Sequence, residues 1–349
     1  MYKKMYRNIL KESFIFKAIV RVLILGLIIT LTVNGCTNLQ PDEQTSETRL
    51  FLDTFCTITI YSSLSEQVLA DILDRAFEMI REYEELFSIT IEGSDIWRIN
   101  HAGGEPVEVD PQTIEVIKAG IGFGELSGGM FDITIGRLSR LWDFSSNRTV
   151  PDMTEIDAAQ LTVDYRQVNI NGNLIQLTDS GAWIDLGAIA KGFIADRVAG
   201  FLVFSGINSA VIDLGGDVVT IGSRPDGNPW RIGVRDPTDH LIGIIEADAV
   251  SIISSGTYER MFEEDGALYH HVLNPYTGMP VNSDIVSATV VTDNAVTGEG
   301  LSTIALLLGS KEAPELIERI PGFIGAVLLL DNGDIQTFGD INFTDARSA

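Results

Sequence analysis

The 349 residues carry 45% hydrophobic and 8% aromatic side chains, enough for one large or two ordinary globular domains and too apolar for a disordered chain. Against 24 Lys and Arg stand 49 Asp and Glu, a formal charge of −25, and a surface this acidic repels DNA, RNA and anionic lipid headgroups. No nucleic-acid partner is therefore expected, and an anionic ligand would need a cation or local donors to be held.

At the start of the chain Lys3, Lys4, Arg7, Lys11, Lys17 and Arg21 lead into the apolar run 22–33, the layout of a secretory signal. That run has 12 residues, short of the roughly 20 a membrane-spanning helix needs. It ends in "VNGC", which resembles a bacterial lipoprotein cleavage box with Cys36 as the lipidated residue. Residues 1–35 are thus expected to be a signal peptide. The mature chain is expected to be lipid-anchored through Cys36 to the bacterial cell membrane on its extracytoplasmic side, with 18 basic against 48 acidic residues. Cys56 is then the remaining thiol, so no intramolecular disulfide is expected. Residues 36–49 are polar and without periodicity and read as a tether, with the folded domain at 50–340.

"FLDTFCTITIYS" alternates and is rich in β-branched and aromatic residues, as a strand is. Ser63 and Glu66 then stand at capping-box spacing before Val68, Leu69, Ile72, Leu73, Phe77, Ile80 and Leu86, which recur at helical intervals. Further helices are expected at 112–126, 188–204, 297–309 and 311–320. Asn171-Gly172 and Asn332-Gly333 sit between alternating runs and predict antiparallel hairpins. Strands and helices interleave without a βαβ beat, which points to an α+β domain with antiparallel sheets. Residues 145–155 read as a surface connection.

Several glycine-containing stretches, "IDLGGDVVTIG" among them, match no phosphate-binding fingerprint and read singly as tight turns. In "WIDLGAIAKGFIAD" Asp185 closes an apolar strand-like run, a helix begins near Ala188, and Lys191 lies about a turn inside; such a junction suits an anionic ligand or a bound cation. Asp185 as a plain N-cap and Lys191 as a solvated side chain fit equally well. Glu299 and Thr303 are four apart on one helical face and are hard oxygen donors of the kind Mg²⁺ prefers, although such pairs are also common on exposed helices. If "ALYHHVL" is a strand, His270 and His271 point to opposite faces and cannot both serve one site. No zinc-ligand spacing is present, and "SSGTY" around Ser255 is not a nucleophile elbow.

In their order along the chain, "LDTFCTIT", "IWRIN", "GGMFDITIGRLSRLWDF", "IDLGAIAKGFIAD", "VIDLGGDVVTIG", "WRIGVRDP", "SSGTYER", "YHHVLNPYTGMPV" and "GEGLSTIALLLG" resemble the FAD:protein FMN transferase (ApbE, flavin transferase) family from about residue 50 to 335. The resemblance implies an α+β fold and an exported, often lipid-anchored enzyme that binds FAD with Mg²⁺. Such an enzyme moves FMN to a Thr or Ser hydroxyl of a partner and releases AMP. Its acceptors are membrane or secreted electron-transfer subunits of the Rnf or Nqr type, or other FMN-binding domains.

By the same resemblance Leu52, Met130, Phe131, Asp132, Asp185, Lys191 and His271 contact FAD. The metal ligands are Ala188 through its backbone oxygen, Glu299 and Thr303. His271 or Asp185 is the general base, residues 274–278 form part of the site wall, and His270 faces away. The sequence departs from the family pattern at Glu299 and Asn274, where Asp is usual, and at Arg137, where Pro is usual. Two other readings fit the same residues: a Mg²⁺-dependent FAD pyrophosphatase yielding FMN and AMP, and a non-catalytic flavin-binding lipoprotein. "SDIVSAT" at 283–289 loosely resembles a flavin acceptor motif but reads better as a strand.

Overall fold

The computed structural model describes residues 43–144, 146 and 148–348. The expected signal peptide, Cys36 and the first part of the tether lie outside these residues. The described chain opens with strands β1 (Glu43–Phe51) and β2 (Thr54–Ser62), then helices α1 (Glu66–Phe87) and α2 (Asp95–His101), strand β3 (Val107–Glu108), and helices α3 (Pro111–Leu126), α4 (Gly136–Trp142) and α5 (Met153–Gln160). Strands β4 (Val168–Asn171) and β5 (Leu174–Leu177) lead to α6 (Ala190–Phe204), β6 (Ala210–Leu214), β7 (Val218–Ile221), β8 (Trp230–Arg235), β9 (Leu241–Ala247) and β10 (Ser251–Gly256). The chain finishes with β11 (Met261–Glu264), β12 (Ala267–His270), β13 (Ile285–Thr292), α7 (Ala295–Leu308), α8 (Ala313–Ile317), β14 (Phe323–Leu330), β15 (Ile335–Gly339) and β16 (Asn342–Asp345).

One sheet runs in the order β1-β2-β6-β7-β10-β13-β14-β15, and its pairings from β2 to β15 are antiparallel. Two smaller sheets, β16-β9-β8 and β3-β5-β4, and the ribbon β11-β12 complete the α+β architecture. Both Asn-Gly hairpins form where expected, at β4-β5 and β14-β15. The eight residues of β13 are buried almost throughout, so the 283–289 stretch is a core strand from Ile285 on, with Ser283 and Asp284 ahead of it. Helix α7 lies on β10 and β13 and packs against α6, which in turn rests on α1. Since α7 is buried nearly all round, Glu299 inside it needs a partner to offset the cost of burying a carboxylate.

Three expectations about the elements are corrected. Residues 43–49, read as tether, belong to β1, a polar strand held by cross-strand hydroxyl pairs, Ser46 to Thr59 at 2.8 Å and Thr48 to Thr57 at 2.9 Å, in place of an apolar face. The Ser63 capping box does not form: α1 begins at Glu66 behind Ser65, whose side chain makes no capping bond. Helix α7 starts two residues early because Asn294 caps Thr297 N–H at 3.0 Å while the carboxylate of Asp196 on α6 accepts from Ala295 and Val296 N–H at 2.7 and 3.0 Å.

Candidate active site

All ten residues singled out from the sequence, Leu52, Met130, Phe131, Asp132, Asp185, Ala188, Lys191, His271, Glu299 and Thr303, line one cleft of about 1420 Å³. Ordinary small-ligand pockets measure roughly 300–1,000 Å³, so the cleft is larger than a single small ligand needs. Its walls come from the Leu52 turn, the loop before α4, α6, the β6-β7 turn, β8, β10, the segment around His271 and α7.

At the floor, the ammonium of Lys191 contacts Asp217 Oδ2 and Glu299 Oε1, the latter at 2.7 Å. Glu299 Oε2 accepts the Gly192 N–H at 2.7 Å. Asp217 and Glu299 are 1% and 2% exposed, whereas the Lys191 side chain keeps 29% exposure toward the cleft, so the lysine is a paired group and not a free surface side chain. Burial alone would lower the Lys191 ammonium, but the two carboxylates outweigh it and hold the group above the ordinary lysine value. Burial pushes the Asp217 carboxyl up, against the opposing pull of Lys191.

Helix α6 begins at Ala190, so the Ala188 carbonyl falls in the preceding turn, where among the described residues no backbone N–H takes it up. Thr303 likewise shows a hydroxyl without a hydrogen-bond partner among the described residues, on the same wall as Glu299. A carbonyl, a hydroxyl and a carboxylate are the hard oxygen donors that suit Mg²⁺, and the acids of the floor outnumber its one lysine, so these residues fit a divalent cation. Among the described residues no three His, Cys, Asp or Glu side chains gather as a metal cluster, so such an ion would depend on the mixed donor set.

Asp185 does not cap α6: its Oδ1 accepts the Gly187 N–H at 2.9 Å and its Oδ2 the Ser139 hydroxyl at 2.6 Å, which aims the carboxylate along the cleft wall. Asp132 spends one oxygen on its own loop, accepting from Thr134 N–H and hydroxyl at 2.8 and 2.6 Å, and the other on the distant Tyr165 N–H at 2.8 Å. It therefore shapes the Met130–Phe131 wall as well as lining it. Leu52 and Asp53 form the two-residue turn between β1 and β2 with φ of 55° and 57°, a left-handed conformation that a leucine rarely adopts. The Leu52 N–H is held by Glu84 Oε1 at 2.8 Å. His271 lines the cleft while His270 lines a separate small cavity, as their opposite facing predicts. Burial, reinforced by Arg260, pushes His271 down to about 3, and its Nδ1 is buried without a partner among the described residues.

The 274–278 turn is not part of the cleft wall. Asn274 Oδ1 accepts from Tyr276 N–H at 2.8 Å and Thr277 N–H at 3.3 Å, an Asx turn that needs an amide or carboxylate oxygen for geometry and not for charge. From this turn the Tyr276 hydroxyl donates to the Gly128 carbonyl at 2.5 Å and braces the Met130 loop from behind. Arg137 lies over the Trp183 ring, 5.4 Å from its centre, and does not line the cleft.

Sequence reasoning missed Asp217, whose stretch reads as a tight turn. The signal was present in the Gly215-Gly216 pair; both take positive φ just before Asp217, whose buried carboxylate meets Lys191 from beneath the cleft. It also missed Arg140 and Arg260, cleft guanidinium groups with no carboxylate partner among the described residues, and Arg235, which is tied to the Asp239 carbonyl at 2.7 Å.

Comparison with known proteins gives the same picture across most of the described fold. The model of the ApbE family matches residues 52–328. The FAD:protein FMN transferase of Treponema pallidum is 30% identical over 312 residues, covering 83% of this chain and 86% of that protein. One from Klebsiella pneumoniae is 33% identical over 268 residues, 75% of this chain and 83% of that protein. Among solved structures, the ApbE protein of Thermotoga maritima aligns with a TM-score of 0.77 at 34% identity, over 84% of this chain and 96% of that one. The flavin transferase ApbE of Vibrio cholerae aligns with a TM-score of 0.77 at 27% identity, over 86% and 98%. With the matched span running from the Leu52 turn through α7 and into β14, the chain belongs to the ApbE family.

Proposed function

We propose that this protein is a FAD:protein FMN transferase: it holds FAD in the cleft and moves the FMN moiety to a Thr or Ser hydroxyl of a partner protein, releasing AMP. The observation that carries the reading is Lys191 at the floor of a large cleft, gripped by two buried carboxylates beside a helix start and a carbonyl and hydroxyl that have no partner among the described residues. The acceptor oxygen attacks the phosphorus on the FMN side. An O–P bond forms as the P–O bond to the AMP phosphate breaks, and the hydroxyl proton passes to a base.

Lys191, Arg260 and Arg140 supply the positive charge that lets an acidic protein hold a diphosphate. Lys191 also faces the oxygens that gain charge as the bond breaks. Asp185 and His271 are the bases at hand. Burial keeps His271 neutral at working pH, and a diphosphate beside it would raise its basicity. Met130, Phe131 and Leu52 offer apolar surface for the isoalloxazine ring. Mg²⁺, held by Glu299, the Thr303 hydroxyl and the Ala188 carbonyl, would supply Lewis-acid polarisation of the phosphoryl group. Glu299, one methylene longer than the family's usual Asp, keeps the same donor chemistry.

The "VNGC" box and the preceding apolar run support lipid anchoring at Cys36 and action on the extracytoplasmic side, on FMN-binding domains of membrane or secreted flavoproteins of the Rnf or Nqr kind. The test is incubation with FAD, Mg²⁺ and an FMN-binding domain bearing an acceptor threonine, followed by intact-mass measurement. One added FMN on the acceptor, lost with EDTA and in Glu299→Ala, is the expected result. Free FMN and AMP beside an unmodified acceptor would make the protein a pyrophosphatase, and unchanged FAD would leave it a flavin-binding protein.

A further inference from the structure

Asp217 is a buried carboxylate at 1% exposure, and its side chain has Lys191 as its one partner among the described residues. Burying a charge pair costs about as much as it returns, so such a pair is weak evidence of a purely stabilising role. The backbone nevertheless goes out of its way to place it: Gly215 and Gly216 both take positive φ, and a methyl group on Gly215 would lie 2.3 Å from the Thr54 hydroxyl. Glu299, for its part, has no idle oxygen, since Oε1 meets Lys191 and Oε2 meets the Gly192 N–H. A divalent cation that takes Glu299 through Oε1 must therefore displace Lys191 or share that oxygen with it, whereas one that takes Oε2 shares it with the Gly192 N–H. An ammonium has three donors, and Lys191 uses one on each acid, leaving one for a ligand.

We propose that Lys191 is the exchangeable counter-charge of Glu299 and that Asp217 is the positioning residue that retains Lys191 when a divalent cation replaces it there. On this account, cation binding hands the ammonium's freed donor to the cleft, where the diphosphate would lie, instead of expelling the lysine. The inference rests on the transferase reading for its cation and its diphosphate, but its test does not use activity.

Binding of Mg²⁺ alone, without flavin, is measured by calorimetry on the full chain in detergent, with melting curves as the check on folding. Lys191→Met is expected to bind Mg²⁺ about tenfold more tightly than the wild type, within the range of ordinary site-to-site couplings. Arg260→Met removes a positive charge from the same cleft without touching Glu299, and is expected to change the affinity far less. Asp217→Asn leaves Lys191 with Glu299 as its sole acid and is expected to weaken Mg²⁺ binding. Asp213→Asn, the charge control whose carboxylate bonds the Gly216 N–H, is expected to do so much less. Equal effects within either pair would mean that long-range charge alone is at work and would overturn the exchange. Should Asp217→Asn fail to fold, the Lys191 and Arg260 variants decide the matter. Mg²⁺ binding by the wild type with no tightening in Lys191→Met overturns this inference and leaves the transferase reading standing, whereas no Mg²⁺ binding in any variant overturns the metal reading and the exchange together.

Discussion

Gly192 is where the fold and the site meet, and replacing it with alanine separates two neighbouring glycines of one helix. A methyl group on Gly192 would lie 2.5 Å from the Ala295 carbonyl oxygen and 2.9 Å from the Val296 Cα, both backbone atoms of α7 that no rotamer change can move. Ordinary contact begins near 3.5 Å, so α6 and α7 would have to part by about 1 Å. Overpacking of this kind costs about 1–3 kcal/mol, offset by roughly 0.8–1.0 kcal/mol of helix propensity gained from alanine. Net destabilisation of about 0–2 kcal/mol is expected. The functional loss is larger. The same separation pulls Glu299 from Lys191 and from the Gly192 N–H, and a misplacement of about 1 Å costs on the order of a hundredfold in rate. Gly200, two helical turns on and exposed, has nothing within 4 Å of its methyl position, so Gly200→Ala is expected to stabilise by about 0.5–1 kcal/mol and leave the rate unchanged. Urea denaturation and the FMN-transfer rate on both variants provide the assay. A Gly192→Ala protein with wild-type rate would refute the claim that this contact sets the geometry of the site.

His271 is held near 3 when folded and titrates near 6.5 when unfolded, so between these values the unfolded chain binds a proton that the folded chain does not. Stability contributed by neutral His271 is therefore whole above about pH 6.5 and falls as pH drops, by up to about 1.4 kcal/mol per unit. His271→Gln is expected to flatten that slope in urea midpoints taken from pH 7 to 4.5, and an unchanged slope would show that the ring is not buried neutral. Leu52→Gly removes a left-handed leucine but keeps its N–H bond to Glu84, so melting temperature is expected to hold or rise while KM for FAD increases; a fall of more than about 1 kcal/mol would contradict the strain argument. Tyr276→Phe loses one hydrogen bond, worth about 0.5–1.5 kcal/mol, and is expected to raise KM for FAD through the Met130 loop; unchanged KM would mean the brace does not act on the site.

What could be read from the sequence, and what could not, divides along the range of the forces involved. The Asn-Gly hairpins, the apolar face of α1 and the bounds of α3 were legible because each is fixed by residues a few positions apart. β1 was not, because its partners are hydroxyls across the strand and its turn is Leu-Asp in place of the usual glycine pair. The ten cleft residues were legible only as an ordered set of motifs. Singly, Lys191 looks like any solvated lysine, and Glu299 with Thr303 like any exposed helix face. Their meaning lies in contacts across 26 and 108 residues of sequence, to Asp217 and from Lys191 to Glu299. Asp217 shows the limit most plainly. Its glycine pair announces a turn, but only the fold shows that the turn points a charge at a lysine, and that the same lysine already holds an oxygen of Glu299.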